Sequence, residues 1–190
     1  MDTALTAALI AAAITAIGWL ANHFLSVKAA LDRRRHETRL AHVEKQLEQL
    51  YGPLLFLILE GKSAFRDFCQ TLGRNYVFDG NGHIRPDDLK TWLYWVDNEF
   101  MPRNLAIQNL LASKAHLIVG ERMPDSYLSF IDHYNSWRVR HLRWKEEQVP
   151  YTWHAKTNWP DQFDNDVIKE YEKLKGLQIR LASLVRGMEA

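Results

Sequence analysis

The chain has 190 residues, enough for one membrane or linker segment plus one domain with a real core, and too few for two ordinary domains. Its 24 Lys and Arg balance 23 Asp and Glu, and a net charge near zero argues against a dedicated nucleic-acid binder. The composition, 47% hydrophobic and 25% charged, is that of a folded chain, and the single cysteine, Cys69, excludes an intramolecular disulfide framework.

From Ala4 to Val27 there are 24 consecutive residues without Asp, Glu, Lys or Arg. A helix of that length exceeds the roughly 30 Å hydrocarbon core of a bilayer. Leu5, Leu9, Ile10, Ile14, Ile17, Leu20, Phe24 and Leu25 supply the apolar drive, and Trp19 suits an interface. Only Asp2 precedes the segment, whereas Lys28, Arg33, Arg34, Arg35 and Arg39 follow it, an asymmetry that puts the C-terminal side in the cytoplasm. A cleavable signal would need a basic n-region, and Asp2 stands where that charge should be. Asn22 and His23 lie near the end of the segment, within reach of headgroups, which favours snorkelling over an ion pathway. The expectation is a transmembrane anchor over 1–27, with the bilayer as a partner. Ala4, Ala8, Ala12 and Ala16 make a small-residue strip that would let a second helix approach, so a homo-oligomer is expected as well.

A basic juxtamembrane helix over 28–50 follows. Leu40, Val43, Leu47, Leu50, Leu54 and Leu57 repeat at alternating three and four, the period of a helix seam. Pro53 lacks an amide donor and should kink or restart the helix. The next helix turns Leu54, Leu57, Ile58, Phe65, Phe68 and Leu72 to a core, with Cys69 as a small core residue and Gly73 as the stop. Asp79, Gly80, Asn81 and Gly82 read as a hairpin or ordered loop. Pro86, Asp87 and Asp88 open a helix with Leu89, Trp92, Leu93, Val96 and Phe100 on one face, ended by Pro102. A further helix over 104–119 carries Leu105, Ile107, Leu110, Leu111, Leu117 and Ile118 up to Gly120. Another opens near Pro124 with Leu128, Ile131, Tyr134 and Leu142 on its apolar side. Periodicity lapses between Glu146 and Trp159, and the last helix starts near Pro160 with Val167, Tyr171, Leu174, Leu181 and Val185. The fold class is therefore all-α: an N-terminal transmembrane helix continuing into a cytoplasmic helical bundle over 51–190.

Four segments carry a resemblance: "QLYGPLL" at 49–55, "FMPRNLAIQNLL" at 100–111, "HLIVGERMP" at 116–124 and "NWPDQF" at 158–163. With the N-terminal helix and the basic stretch, they make the chain similar to small uncharacterised bacterial single-pass membrane proteins. The resemblance implies the anchor-and-bundle architecture alone, and no activity; the expected address is a bacterial inner membrane, with the N-terminus outside and the C-terminal domain cytoplasmic.

Motifs tested for chemistry mostly fail on spacing. Gly61-Lys62-Ser63 ends like a phosphate-binding loop, but position 56 is Phe where a Gly is needed. Asp79, Asn81 and His83 begin like a calcium loop, yet Ile84 and Lys90 stand at its glycine and glutamate positions. The eight histidines include no HExxH and no zinc spacing, so neither metal nor cofactor is expected, and His116 and His133 read as bundle residues. Arg35 and His42 share a helix face, a pattern similar to that of helical ribonucleases and the basis of an alternative enzyme reading. The densest chemistry is Trp137, Arg138, Arg140, His141, Arg143, Trp144 and Lys145, then Tyr151, Trp153, His154, Lys156 and Trp159. Guanidinium forks and flat rings suit oxyanions, bases, peptides or headgroups. The competing reading pins the tryptophans to the bundle and pairs the cations with acids such as Glu146 and Glu147. The candidate site is Arg138, Arg140, His141, Arg143, Trp144 and Trp153. The functional expectation is binding of an unidentified protein or small ligand without catalysis. The alternatives are the nuclease-like enzyme and a membrane-perturbing effector triggered through its cytoplasmic domain.

Overall fold

The structure, a computed structural model, describes residues 3–151 and 158–188. They are helical almost throughout: α1 (Thr3–Gln46), α2 (Gly52–Leu72), α3 (Pro86–Trp95), α4 (Met101–Ser113), α5 (Asp125–Glu147) and α6 (Asp161–Gly187). Among the described residues the only extended pairing is one antiparallel bridge, Phe78 with Ile84. It closes the loop in which the Asp79 carboxylate accepts hydrogen bonds from the amides of Asn81 and His83. The chain divides into two compact units, residues 1–43 with 177–190, and residues 44–176.

In the first unit, the backbone of α1 passes position 27 without a break. By length and composition it is the one helix among the described residues able to cross a membrane, with an 18-residue window of mean hydropathy 1.5 in which nothing is buried. Val43 and Leu181 are buried, and Asp32, Arg33, His36 and Leu40 are half-buried on the Val43 side of α1. The side chains of Ala4 and Ala8 in the small-residue strip lie outside the described residues; those of Ala12 and Ala16 are exposed.

The second unit is organised by two joints of the same kind. Between α1 and α2, residues Leu47–Tyr51 form a π turn, closed where the Gly52 amide donates to the Leu47 carbonyl. Between α3 and α4, Val96–Phe100 form another, closed from the Met101 amide to the Val96 carbonyl. A proline follows each at once, Pro53 and Pro102. Proline has no amide to give and drives its ring at the carbonyl four residues back, so the first turn of a new helix is where it fits. The wider turn supplies that start without breaking the helical path. Pro102 therefore does not end its helix, as periodicity suggested, but begins α4.

Other boundaries and faces move too. Gly73 caps α2 in the left-handed conformation (φ 67°), its amide and that of Arg74 satisfying the last carbonyls. Helix α4 stops at Ser113 and hands over to a 3₁₀ turn at Ala115–Leu117, short of Gly120, which has φ 107°. His116, read as a bundle residue, is exposed on that turn, while His133 is buried. On α5 the buried face is Tyr127, Phe130, Tyr134, Trp137 and His141, spaced three and four, and Leu128 and Leu142 are exposed. Rings bury more area than aliphatic chains, so the aromatic stripe wins the core. Leu105 and Phe65 likewise face outward, and α4 buries Arg103 and Asn104 beside Ile107 and Leu111.

The core around Phe68, Val77, Trp92, Val96, Phe100 and Trp137 is mainly aromatic. Trp92 and Trp137 stack at 5.7 Å and 11°, and Phe68 meets Phe100 edge-on at 5.8 Å. Cys69 is half-buried against this cluster, and desolvation pushes its thiol pKa up.

The first joint is sterically tight. A Cβ added at Gly52 would sit 2.7 Å from the Leu47 carbonyl oxygen, whereas one at Gly176 meets nothing within 4 Å. Gly52→Ala should lose about 1–3 kcal/mol in urea unfolding of the purified protein. Gly176→Ala, a mid-helix change, should gain about 0.5–1 kcal/mol. Equal effects would show that the π turn does not require its glycine.

Candidate functional site

The six residues singled out by sequence separate on the structure. His141 is buried, with Nε2 2.8 Å from Asp97 Oδ1 on the second π turn. The carboxylate can only accept, so that nitrogen carries the proton. Lys145 Nζ lies 2.5 Å from the same oxygen. Burial pushes the Asp97 carboxyl up, but hydrogen bonds from Lys145 and His141, with their charge, outweigh it and hold the pKa below the usual carboxylate range. Trp144 is half-buried, stacked on His141 at 6.1 Å and edge-on to Tyr151 at 5.6 Å. Arg138, Arg140 and Arg143 are exposed, and Arg143 pairs with Glu147 at 2.8 Å. Trp153 lies outside the described residues, as do His154 and Lys156.

One segment thus does two jobs. Its rings belong to the core: Trp137 Nε1 donates to the Tyr151 hydroxyl at 3.4 Å, and Trp159 packs edge-on against Phe130 and His133. Its arginines form an outward face. Arg35 and His42, the enzyme alternative, are both exposed on α1, and Arg35 faces Asp32 at 3.5 Å.

Sequence reasoning missed a second place. Tyr51, Val119, Pro124, Tyr127, Asp166, Lys169 and Glu170 line a cavity of about 130 Å³. Tyr51 sits in "QLYGPLL" and Val119 in "HLIVGERMP", and the Val119 amide donates to the Tyr51 hydroxyl at 3.0 Å. Gln46 Nε2 donates to the Leu117 carbonyl at 2.9 Å, fixing the same loop. Asp166 accepts from Ser126 at 2.6 Å and Gln162 at 2.7 Å. Desolvation first, then the Tyr51 phenol, and after it the Asp166 and Glu170 carboxylates, push the Tyr127 phenol far up, so it stays a neutral donor. Nothing in periodicity points to this cavity, because its lining comes from three separate segments, at Tyr51, Val119 to Tyr127 and Asp166 to Glu170.

Two buried charges were also missed. Arg103 lies over Gly61, 2.8 Å from Glu99 and 3.4 Å from Glu60. Asp164 pairs with Lys62 at 2.8 Å and accepts from Trp159 Nε1 at 2.9 Å. The rejected Gly-Lys-Ser motif is thus helical packing: its glycine makes room for Arg103 and its lysine neutralises Asp164. No group of three or more His, Cys, Asp or Glu that could hold a metal occurs among the described residues. No family model, curated protein or solved structure matches the chain.

Trp137→Ala should destabilise the protein by about 3–5 kcal/mol, the cost of emptying a buried aromatic position. The double change Arg138→Gln, Arg143→Gln should stay within about 1 kcal/mol, because exposed pairs contribute little. The Asp97 pKa is depressed in the fold, so its contribution is present above the unfolded carboxylate pKa and lost as pH falls through the folded value. Asp97→Asn should therefore flatten part of the acid limb of the stability profile; an unaltered limb would show that the His141–Asp97–Lys145 group does not set it.

Proposed function

We propose that this chain is a single-pass membrane protein whose helical part stands on the cytoplasmic side and binds a protein or small-ligand partner, without catalysis. The observation that carries the reading is the state of the first helix. Ile14, Ile17, Trp19 and Phe24 are 65 to 70% exposed, and Leu9, Ile10 and Leu25 exceed half. An apolar surface of that size left in water is an unmet demand for burial, and hydrocarbon meets it. The length of the uncharged run agrees. The five basic residues that follow it support the orientation.

Two features support binding over chemistry. The cavity at Tyr51 and Tyr127 offers phenol and carboxylate groups to a small ligand. The arginines of α5 are held outward by a buried aromatic stripe, which suits a polar partner. The Ala strip remains the proposed contact between copies in the membrane, because Val43, Leu47 and Leu50 are buried within the chain itself.

A reporter active only in the cytoplasm, fused at Ala190, should give signal, and the protein should stay with the membrane in alkaline carbonate. Signal from a periplasm-specific reporter would overturn the orientation, and release by carbonate would overturn the anchor.

A further inference from the structure

We propose that the juxtamembrane part of α1 is a recognition face for anionic phospholipid headgroups, formed chiefly by Lys28, Arg35 and Arg39. This rests on the anchor reading above and adds a lipid preference that an anchor alone does not require.

At about 100° per residue, Lys28, Arg35 and Arg39 fall within about 40° of one another on the helix, with His42 at the edge of the same face. All four are exposed, and the Arg35 side chain is 80% exposed. The half-buried side of α1, through Asp32, Arg33, His36, Leu40 and Val43, is centred about 90° round the helix from them, with Asp32 and Val43 on the edge the two sides share. Asp32 shares the face but meets Arg35 only at 3.5 Å, the long end of an ion pair, while Arg33, turned to the other side, takes Glu37 at 2.8 Å. The internal acids therefore leave this face positive.

Length adds a second argument. The uncharged run is about 36 Å long as a helix, against roughly 30 Å of hydrocarbon, so it fits with a tilt of roughly 30°. Arg35 lies about 12 Å along the axis beyond Val27, outside a headgroup layer of roughly 5–8 Å if the helix stood upright. A tilt toward the Lys28 face brings Arg35 down to the phosphates and Arg39 within about a Debye length of them. Opposite charge at the surface favours that direction of tilt over any other, so one set of contacts selects both lipid and tilt.

The test uses the full chain in vesicles of phosphatidylcholine with phosphatidylglycerol, probed with spin-labelled phosphatidylglycerol and spin-labelled phosphatidylcholine at the protein boundary. The native chain should hold the anionic probe about five-fold over the neutral one at low salt, and less as salt rises. The variant Lys28→Gln, Arg35→Gln, Arg39→Gln should bring the ratio close to one, and Arg35→Lys, Arg39→Lys should keep most of it. Arg138→Gln, Arg140→Gln should leave it unchanged. A motionally restricted population without preference in the native chain would overturn the lipid face and leave the anchor standing. No restricted lipid of either kind would overturn the anchor itself. A preference that survives the triple Gln variant would refute the assignment to these residues.

Discussion

A proline inside a helix removes a hydrogen-bond donor and pushes a ring toward the preceding turn, and unit 44–176 is built around meeting that demand twice. Each time the chain spends one extra residue in a π turn and carries on as helix. The extra residue also sets register. Leu47 and Tyr51 are spaced by four, as are Trp92, Val96, Phe100 and Asn104, and all are buried. In an ideal α-helix a run of fours drifts round the axis by about 40° per step. A turn closed over five residues holds more than 3.6 and cancels part of the drift, so both runs stay on the core side. Gly52 is the residue that lets the first of these turns close, since any side chain there would meet the accepting carbonyl.

The second π turn also places charge. Asp97 and Glu99 lie on it and point to different partners, Asp97 to His141 and Lys145 on α5, Glu99 to the buried Arg103 on α4. A buried ion left unpaired costs several kcal/mol, so Arg103 and Asp164 need their partners wherever the packing puts them. Arg103 draws on Glu60 as well as Glu99, and Asp164 on Lys62 as well as the Trp159 ring nitrogen. These contacts tie α2 to α4 and to α6 by groups whose mispairing would be costly. Aromatic packing supplies area, and the paired charges select one arrangement of it.

The helices themselves were legible in the sequence because capping signals and apolar spacing are local. Gly73, Pro86 and Pro160 mark starts and stops within a residue or two of where they fall. The faces of α4 and α5 were less legible, since a reading weighted toward leucine overlooks Tyr127, Phe130 and Trp137, which bury more area each. Pro102 was misread because its effect depends on whether the preceding turn widens, and hydrophobic spacing alone does not say so. The arginines from 138 to 143 are visible as a patch in sequence, but not that His141 between them is buried on Asp97, 44 positions earlier. The Tyr51–Tyr127 cavity depends on helix packing entirely, and no local pattern encodes it.

The two units differ in how their apolar surface is distributed, and that difference bears on function. Unit 44–176 buries Tyr51, Phe68, Tyr127, Phe130 and Phe163 to at most 1% exposure and leaves Phe56, Phe65 and Tyr94 on its surface. Along the N-terminal helix, Ile14, Ile17, Trp19 and Phe24 are uncovered to about two-thirds. What sets the N-terminal helix apart is continuity: every residue from Leu9 to Ala30 is exposed, with no buried face, and a different surrounding solvent accounts for that. On the proposed reading that solvent is lipid, and Lys28, Arg34, Arg35 and Arg39 mark where it gives way to water. The uncharged run and the basic run then express one boundary, seen first by hydrocarbon and then by headgroups. On the same reading, partner binding is proposed for the arginines that the aromatic stripe of α5 holds outward and for the Tyr51–Tyr127 cavity, which carboxylates of α6 line.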